Sequence, residues 1–426
     1  MRDPLAAYSA RCGGLPGGAM HRVWGDCMES YLLDWANLLL RWAHIIVAIA
    51  WIGSSFYFVF LDSSLTEPED ARLRAQGATG ELWAVHGGGF YHPVKYAVAP
   101  PRLPGHLHWF YWESYSTWLT GFGLFAVSYL WRADIYLVDP QQLAMPGWQA
   151  GTLAVGLLLA FWVAYDMACR FMGSGAGSDR RLGLVVALLV AGFAWLATEW
   201  FAARAAFLLA GAMLATAMTA NVLVWIIPGQ RRVVQSLKQG EAPDPIHGQR
   251  GKQRSVHNTY FTLPVVFAML SNHYSFLYSH EHKWEVLLAL MAAGAGIRQF
   301  FVLRHGYKLG RHAHPWRWAA GACVLLVCLI AWLRPAGIAV DPPVASRAAT
   351  DDAAVQSVLN ARCVSCHGEA LASKGIRLDS VTQARQHAAL VYQQVVIQRA
   401  MPLNNATGMS EEERALLGAW ALAAQR

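Results

Sequence analysis

The sequence has few charged residues. Only 14% of its 426 residues are Asp, Glu, Lys or Arg, whereas soluble proteins have roughly a quarter. Cysteine is also scarce, with seven residues scattered along the chain, which excludes a disulfide-stapled scaffold. A soluble chain of this length would form several domains with charged surfaces. Because 55% of the residues are apolar, the composition instead indicates a polytopic membrane protein with a soluble part attached.

Eight apolar stretches are long enough, or nearly so, to cross about 30 Å of hydrocarbon as helices. The sixth stretch is the least hydrophobic because it contains Asn272 and His273, so seven spans is the competing count. The predicted fold is therefore all-α, with a bundle of about eight membrane helices. The stretches lie at 31–61, 114–131, 150–168, 182–200, 203–227, 258–279, 284–303 and 316–333.

The basic residues alternate between the two sides of this predicted bundle. Loops on one side contain 17 Lys and Arg residues, whereas the other side has only four. By the positive-inside rule, the basic loops are cytoplasmic and both chain termini lie outside. The net charge of +7 then reflects orientation in the membrane, and we expect no nucleic-acid partner. The basic loops are 62–113, 169–181, 228–257 and 304–317.

Composition divides the chain into four parts. Residues 1–27 are rich in Gly and Arg and form a doubtful N-terminal tail, since Met28 begins a more natural protein start. Residues 28–334 form the integral membrane domain. A linker rich in Pro and Ala follows at 335–352. Residues 353–426 have an ordinary charge content and form a small soluble α-helical domain.

The soluble part contains the motif Cys363-Val-Ser-Cys366-His367, which is typical of covalent haem c attachment. The two thiols add to the porphyrin vinyl groups, and the adjacent His binds the iron. Met401, 34 residues later, is the expected distal ligand, since Met/His ligation suits electron transfer. Met409 is the alternative thioether, but it directly precedes the acidic first turn of a predicted final helix at 411–424. A zinc or redox pair is the other interpretation. We expect a periplasmic, class I-like cytochrome c domain with one haem c.

Ionisable residues lie inside the apolar stretches, where a charge is costly and often functional. His44 lies in the middle of the first stretch and His273 in the sixth. This pair would hold a second, non-covalent haem b, or each imidazole would only hydrogen-bond a facing helix. Glu199 and Arg298 are expected to pair with buried opposite charges, a carboxylate in the case of Arg298.

The loop at 62–113 is too long for a simple connector. It contains His86, three consecutive glycines, His92 and Glu113. Glycines allow a flat ligand to approach the backbone, and His or Glu side chains can move protons. We therefore predict His86, His92 and Glu113 as candidate catalytic residues. His257, at the cytoplasmic end of the sixth apolar stretch, is the fourth candidate. A phosphate loop is excluded because no Gly-Lys-Ser/Thr follows, and an amphipathic interfacial segment is the alternative.

Several longer segments resemble one known family. They are RWAHIIVAIAWIGSSFYF (41–58), GELWAVHGGGFYHPVKY (80–96), LHWFYWESYSTWLTGF (107–122) and HNTYFTLPVVFAMLSNHY (257–274), together with CVSCH. With these motifs the chain is similar to the membrane-bound bacterial urate oxidases fused to cytochrome c. The resemblance implies oxidation of urate to 5-hydroxyisourate. Electrons would pass through the haem c to a soluble cytochrome or a terminal oxidase.

Two other functions remain open at the level of sequence. The membrane part could anchor a quinol-linked or other donor-linked cytochrome c without urate chemistry. A transporter coupled to an electron-carrying domain is the other alternative, but it should show internal repeats, and the sequence has no clear repeat. An inert anchor would need neither the histidines within the membrane nor the long basic loop.

Overall fold

The computed structural model describes residues 17–173, 176–334, 351–369 and 372–425. Residues 1–16 of the predicted tail and residues 335–350 of the predicted linker therefore lie outside the described residues. Within the described ranges the chain is mostly helical. The helices before the soluble part are α1 (Gly17–Ser64), α2 (Ala71–Ala75), α3 (Trp112–Phe125), α4 (Ala133–Tyr136), α5 (Gly147–Met172), α6 (Ala176–Trp200), α7 (Ala203–Ala220), α8 (Ile227–Lys238), α9 (Pro245–Leu270), α10 (Ser275–Tyr278), α11 (Lys283–Lys308) and α12 (Trp316–Trp332).

Among the described residues, five helices are long and apolar enough to cross a membrane. The other predicted spans, at 114–131, 258–279 and 316–333, coincide with α3, α9 and α12, which are shorter or less apolar. The membrane character is therefore confirmed, while the number of eight spans stays a prediction. The five helices are Tyr31–Ser64, Gly147–Met172, Asp179–Trp200, Ala203–Lys238 and Lys283–Lys308.

The sixth predicted span ends earlier than its apolar pattern indicates. Helix α9 ends at Leu270, and a 3-10 turn follows at Ser271–His273. The Asn272 Oδ1 atom accepts hydrogen bonds from the Tyr129 hydroxyl at 2.9 Å and from Arg204 Nε at 3.3 Å. These contacts hold Asn272 beyond the helix end. The placement of His273 inside a span was therefore wrong, and its side chain is exposed in the turn.

The apolar core lies between α5, α6, α7, α9 and α11. Phe161, Phe207 and Leu287 are fully buried there, because small residues allow the helices to approach closely. At Gly211 on α7, an added Cβ would lie 2.7 Å from the Ala268 Cβ on α9. Helix α1 packs against α3 and α11 at the side of this core.

The loop between α1 and α3 contains two small antiparallel sheets. Strand β1 (Ala78–Glu81) pairs with β4 (Val94–Tyr96), and β2 (Ala84–His86) pairs with β3 (Gly89–Tyr91). These four strands were not predicted from the sequence. The β2–β3 connection is a two-residue turn with positive φ angles of 59° at Gly87 and 81° at Gly88. This is the turn geometry that favours glycine in hairpins.

The C-terminal part is a small helical unit with a core of its own. Val355, Leu359, Leu417 and Trp420 are buried at its centre. The predicted final helix is confirmed, since Ser410 and Glu413 form a capping box at its start. The helices of this unit are α13 (Asp352–Arg362), α14 (Val364–His367), α15 (Val381–Gln386), α16 (Ala388–Val391) and α17 (Glu411–Ala424).

Candidate functional site

The four predicted catalytic residues lie in different places. His86 is exposed at the end of β2, and Glu113 lies in the first turn of α3. His92 follows β3, whereas His257 lies on α9 among the membrane helices. Within the described ranges no hydrogen bond joins any two of these four side chains. The structure therefore does not bring them together as one catalytic group.

His92 forms a compact polar contact within the loop. Its Nε2 atom lies 2.6 Å from Glu81 Oε2, and its ring stacks on Trp83 with the ring centres 4.0 Å apart. The second Glu81 oxygen accepts the backbone N–H of Glu69 at 2.6 Å. The hydrogen bond from the Glu69 N–H has the larger effect, and together with the one to His92 it lowers the pKa of the Glu81 carboxyl. The ionised carboxylate thus orients the His92 ring and holds the loop together.

The glycine-rich segment has a structural explanation. Gly87 and Gly88 adopt the positive φ angles that a tight hairpin turn requires. The flanking side chains of Trp83, Val85 and Phe90 are largely exposed. The turn accounts for two of the three glycines without a flat ligand, and it leaves an exposed apolar hairpin.

A buried ionic cluster lies where α5, α9 and the segment after α7 meet. The Asp166 carboxylate accepts hydrogen bonds from Arg254 Nη2 at 2.7 Å, Trp225 Nε1 at 2.7 Å and Arg170 Nε at 2.6 Å. Arg254 is only 2% exposed, and its guanidinium also lies over the Trp225 ring. Each charge is therefore matched by an opposite charge or a hydrogen bond, as a buried ion pair requires.

His257 belongs to a chain of hydrogen bonds beside this cluster. Asn221 Nδ2 donates to the Tyr165 hydroxyl at 3.0 Å and to Asn258 Oδ1 at 2.9 Å. The Tyr165 hydroxyl also lies 2.8 Å from His257 Nδ1, and the donor of this hydrogen bond depends on the tautomer of the imidazole. Asn221 starts a π-helical turn, Asn221–Ile226, which is a type of distortion frequent at functional sites. The contact with Tyr165 orients the His257 ring beside the polar cluster.

Arg298 differs from every expectation based on the sequence. It is 1% exposed on α11, and among the described residues no carboxylate forms an ion pair with it. Its Nε donates to the Thr259 carbonyl at 3.3 Å, and its Nη2 is buried without a hydrogen-bond partner. The predicted carboxylate partner was therefore wrong. Glu199, the other charged residue in an apolar stretch, is exposed and not buried.

The two histidines predicted for a second haem pack against different helices. The His44 Nδ1 atom lies 3.1 Å from the Thr117 carbonyl of α3 and 3.2 Å from Thr120 Oγ1. Gly121 makes room for the ring, since an added Cβ would lie 2.8 Å from His44 Cε1. His273 is in the exposed turn after α9. The second haem therefore stays a prediction, and the geometry does not show the two rings facing each other.

The Cys-x-x-Cys-His motif forms one helical turn after α13. Its thiols are free, with Cys363 buried and Cys366 exposed. Burial, and to a lesser extent the Cys366 thiol, raises the pKa of the Cys363 thiol to about 11. His367 Nδ1 lies 3.2 Å from the Ile376 carbonyl. A hydrogen bond there leaves Nε2 to bind iron, the usual arrangement of a metal-bound His.

The two candidate thioethers differ in burial. Met409 is 3% exposed within the core of the C-terminal unit, whereas Met401 is half-buried at its edge. The Trp420 indole N–H is buried in the same core without a hydrogen-bond partner in the described chain. An orphaned donor beside the motif is compatible with a further group in this core. The residues present thus fit a covalent haem, and Met401 stays the predicted second iron ligand.

Only weak sequence signals mark the site residues that were not predicted. Asp166 is a carboxylate within an apolar stretch, which is a recognisable sign of a polar partner. Arg254 was counted only as one of the basic residues that set orientation. Asn221 and Trp225 carry no sequence signal of their own. In the described ranges, no group of three or more His, Cys, Asp and Glu residues could hold a metal ion.

Comparison with known proteins gives one match. The family model described as urate oxidase N-terminal matches residues 30–334, which is more than half of the chain and includes all the membrane helices. The match ends before the Cys-x-x-Cys-His motif. No curated protein and no solved structure matches the chain.

Proposed function

The chain belongs to the urate oxidase N-terminal family, and on this premise we propose that its membrane part oxidises urate to 5-hydroxyisourate. The reaction removes two electrons and two protons from urate and water and adds one oxygen atom to the purine ring. The match over residues 30–334 carries this proposal. Urate is a flat anion, so its site needs aromatic walls, a cation and a group that accepts protons.

The topology follows from the same proposal. The chain would cross a bacterial inner membrane eight times, with its basic loops in the cytoplasm and its C-terminal unit in the periplasm. Contacts between the basic loops support their position on one side: Arg311 donates to the Leu65 carbonyl, and Gln253 donates to the Gly173 carbonyl. These contacts join segments that are far apart in the sequence.

The C-terminal unit would receive the electrons. We assign Cys363 and Cys366 to covalent haem c attachment, and His367 and Met401 to the iron. When bound, such a haem accepts electrons one at a time and passes them to a soluble cytochrome or a terminal oxidase. The protein holds the His367 ring through the Ile376 carbonyl. The predicted haem b at His44 and His273 stays a prediction, because His273 is exposed in the turn after α9.

Proton transfer would involve the predicted histidines. Among His86, His92, Glu113 and His257, the geometry favours His257 and His92, because each has a polar partner that orients its ring. The Tyr165–His257 contact lies among the membrane helices, and the Glu81–His92 contact lies in the long loop. His257 and His92 therefore stay the proposed acceptors of the urate protons.

The proposal is tested with membranes that contain the full chain. We expect urate to disappear and 5-hydroxyisourate to form, with reduction of an added acceptor and without stoichiometric hydrogen peroxide. A pyridine haemochrome assay on the same sample should give a c-type band, and an additional b-type band would support the second haem. Peroxide formed in equal amount to the product would contradict the electron path through the C-terminal unit.

The second candidate function is a quinol-linked cytochrome c without urate chemistry. It rests on the Cys-x-x-Cys-His motif, which indicates an electron carrier whatever the electron donor is. Reduction of the haem by quinol, with no effect of urate, would support this function.

A further inference from the structure

The starting point is a buried positive charge without a counterion. Arg298 lies on α11, and its buried Nη2 has no hydrogen-bond partner in the described chain. Its one hydrogen bond within the protein joins Nε to the Thr259 carbonyl at 3.3 Å. An uncompensated charge among apolar helices is expensive and is a default sign of function.

A second arginine of the same bundle shows how the chain compensates a charge that is structural. Arg254 donates to the Asp166 carboxylate at 2.7 Å, and Trp225 and Arg170 complete the hydrogen bonds of that carboxylate. Among the described residues no carboxylate pairs with Arg298, and its close neighbour is the Phe56 ring. Arg254 has the Asp166 carboxylate as its anion, and Arg298 has none among the described residues. A bound ligand can supply that anion.

The space beside Arg298 is a groove of about 310 Å³ between α1 and α11. This volume lies at the lower end of the range for small-molecule pockets. The Phe56 ring forms one wall, with its centre 3.6 Å from the guanidinium carbon. Phe60 and Phe301 extend the apolar lining, and His305 contacts the Phe60 ring at the loop end of the groove.

We propose that this groove binds a flat organic anion, with Arg298 as its charge partner and the aromatic rings of α1 as its walls. This inference rests on the proposed function, in which the anion is urate itself. It locates the substrate site between α1 and α11, where the lining includes His305 but neither His92 nor His257, so a ligand in this groove would not contact those two histidines.

Arg298 lies inside its helix and not at the helix end. It precedes the end of α11 at Lys308 by ten residues, which corresponds to about 15 Å along a helix. A small anion that enters beside His305 can reach it.

The interaction has a defined role in binding. The free Nη2 N–H donates to an oxygen or a deprotonated nitrogen of the ligand, and the positive charge favours the anion over a neutral heterocycle. Arg298 is therefore a binding residue, and no proton or electron passes through it. Its loss should weaken the binding of urate more than it slows the reaction of bound urate.

The test compares Arg298→Gln, Arg298→Lys and the control Arg304→Gln in the full chain. Arg304 lies on the same helix and is exposed, so its substitution removes the same charge outside the groove. We expect Arg298→Gln to raise the urate concentration for half-maximal turnover by roughly ten- to a hundredfold, as for a lost charged hydrogen bond. Arg298→Lys should give a smaller increase, and Arg304→Gln should leave the value unchanged.

Equilibrium dialysis with radiolabelled urate gives a second measurement that needs no turnover. The wild-type protein and Arg304→Gln should bind urate, and Arg298→Gln should lose this binding. Haem c content and thermal stability verify that each variant is folded. If Arg298→Gln does not accumulate, Arg298→Lys is used for both measurements, since it keeps the charge and loses the planar donors. Weaker urate binding than in the wild-type protein would then support the site, and unchanged binding would contradict it.

The two proposals fail in different ways. If the wild-type protein binds urate but does not oxidise it, the proposed function is wrong while the site can still be mapped by binding. If the wild-type protein oxidises urate and Arg298→Gln and Arg298→Lys both keep wild-type half-saturation and binding, the groove is not the substrate site and the function stands.

Discussion

At the scale of the residue, the environment of a side chain decides its role more than its type does. Arg254 and Arg298 are both buried arginines in apolar surroundings. Arg254 pairs with the Asp166 carboxylate, which accepts hydrogen bonds from three side chains. Arg298 donates to a backbone carbonyl and lies beside a groove. The sequence shows both charges within or beside apolar stretches. It cannot show which of them has a partner, because the partner comes from another helix.

The ionic cluster makes a prediction about stability. Asp166→Asn removes the negative charge that compensates Arg254, which leaves that arginine buried and unpaired. The variant should lose on the order of 3–5 kcal/mol of folding free energy, measured by thermal or denaturant unfolding in detergent.

Arg170→Gln is the matched control for this prediction. Arg170 contacts the same aspartate but is exposed, so its loss should cost about 1 kcal/mol or less. Equal stability of the two variants would contradict the structural role of the buried pair.

The Glu81 carboxyl makes a prediction about pH. Its pKa in the folded loop is lowered by the Glu69 N–H and by His92, so the ionised form stabilises the loop above the unfolded pKa of about 4.3. This stabilisation is lost as the pH falls through the folded pKa. Glu81→Gln should make the loop more sensitive to limited proteolysis at neutral pH, and the sensitivity should no longer change with pH below 5.

Glu67→Gln serves as the control, because Glu67 lies in the same loop with an exposed side chain. The variant should retain both the wild-type cleavage rate and its pH dependence. A wild-type cleavage pattern for Glu81→Gln would show that the contact with His92 does not hold the loop.

At the scale of the element, the sequence predicts helices well and their interruptions poorly. All eight predicted apolar stretches are helical, because long apolar runs have few alternatives. The end of α9 at Leu270 was missed, since it depends on contacts of Asn272 with Tyr129 and Arg204. The β2–β3 hairpin was also missed, although two adjacent glycines between short apolar runs are a recognised hairpin signal.

The hairpin gives a prediction for one element. Gly88 has a φ of 81°, and an L side chain in the left-handed region costs about 1–2 kcal/mol. Gly88→Ala should therefore increase amide hydrogen exchange in β2 and β3. Gly89→Ala is the control, because Gly89 has no positive φ and an added Cβ would meet atoms only at 3.8 Å. Equal exchange in both variants would contradict this turn geometry.

At the scale of the whole molecule, two units with different chemistry share one chain. The family match covers the membrane unit, and the Cys-x-x-Cys-His motif lies in the C-terminal unit. A hydrogen bond of 2.9 Å from Ser275 Oγ to Gln398 Oε1 joins the two units. The division into units stays a prediction from composition. The groove beside Arg298 could not be predicted, because Phe56 and Arg298 are far apart in the sequence and meet only in the folded protein.

The most direct test of the account is an anaerobic optical titration of the purified, air-oxidised full chain with urate. The account predicts that urate reduces the c-type absorbance band and that each urate supplies two electrons to the haem groups of the sample. A band that dithionite reduces and that urate leaves unchanged would contradict the coupling of urate oxidation to the C-terminal unit.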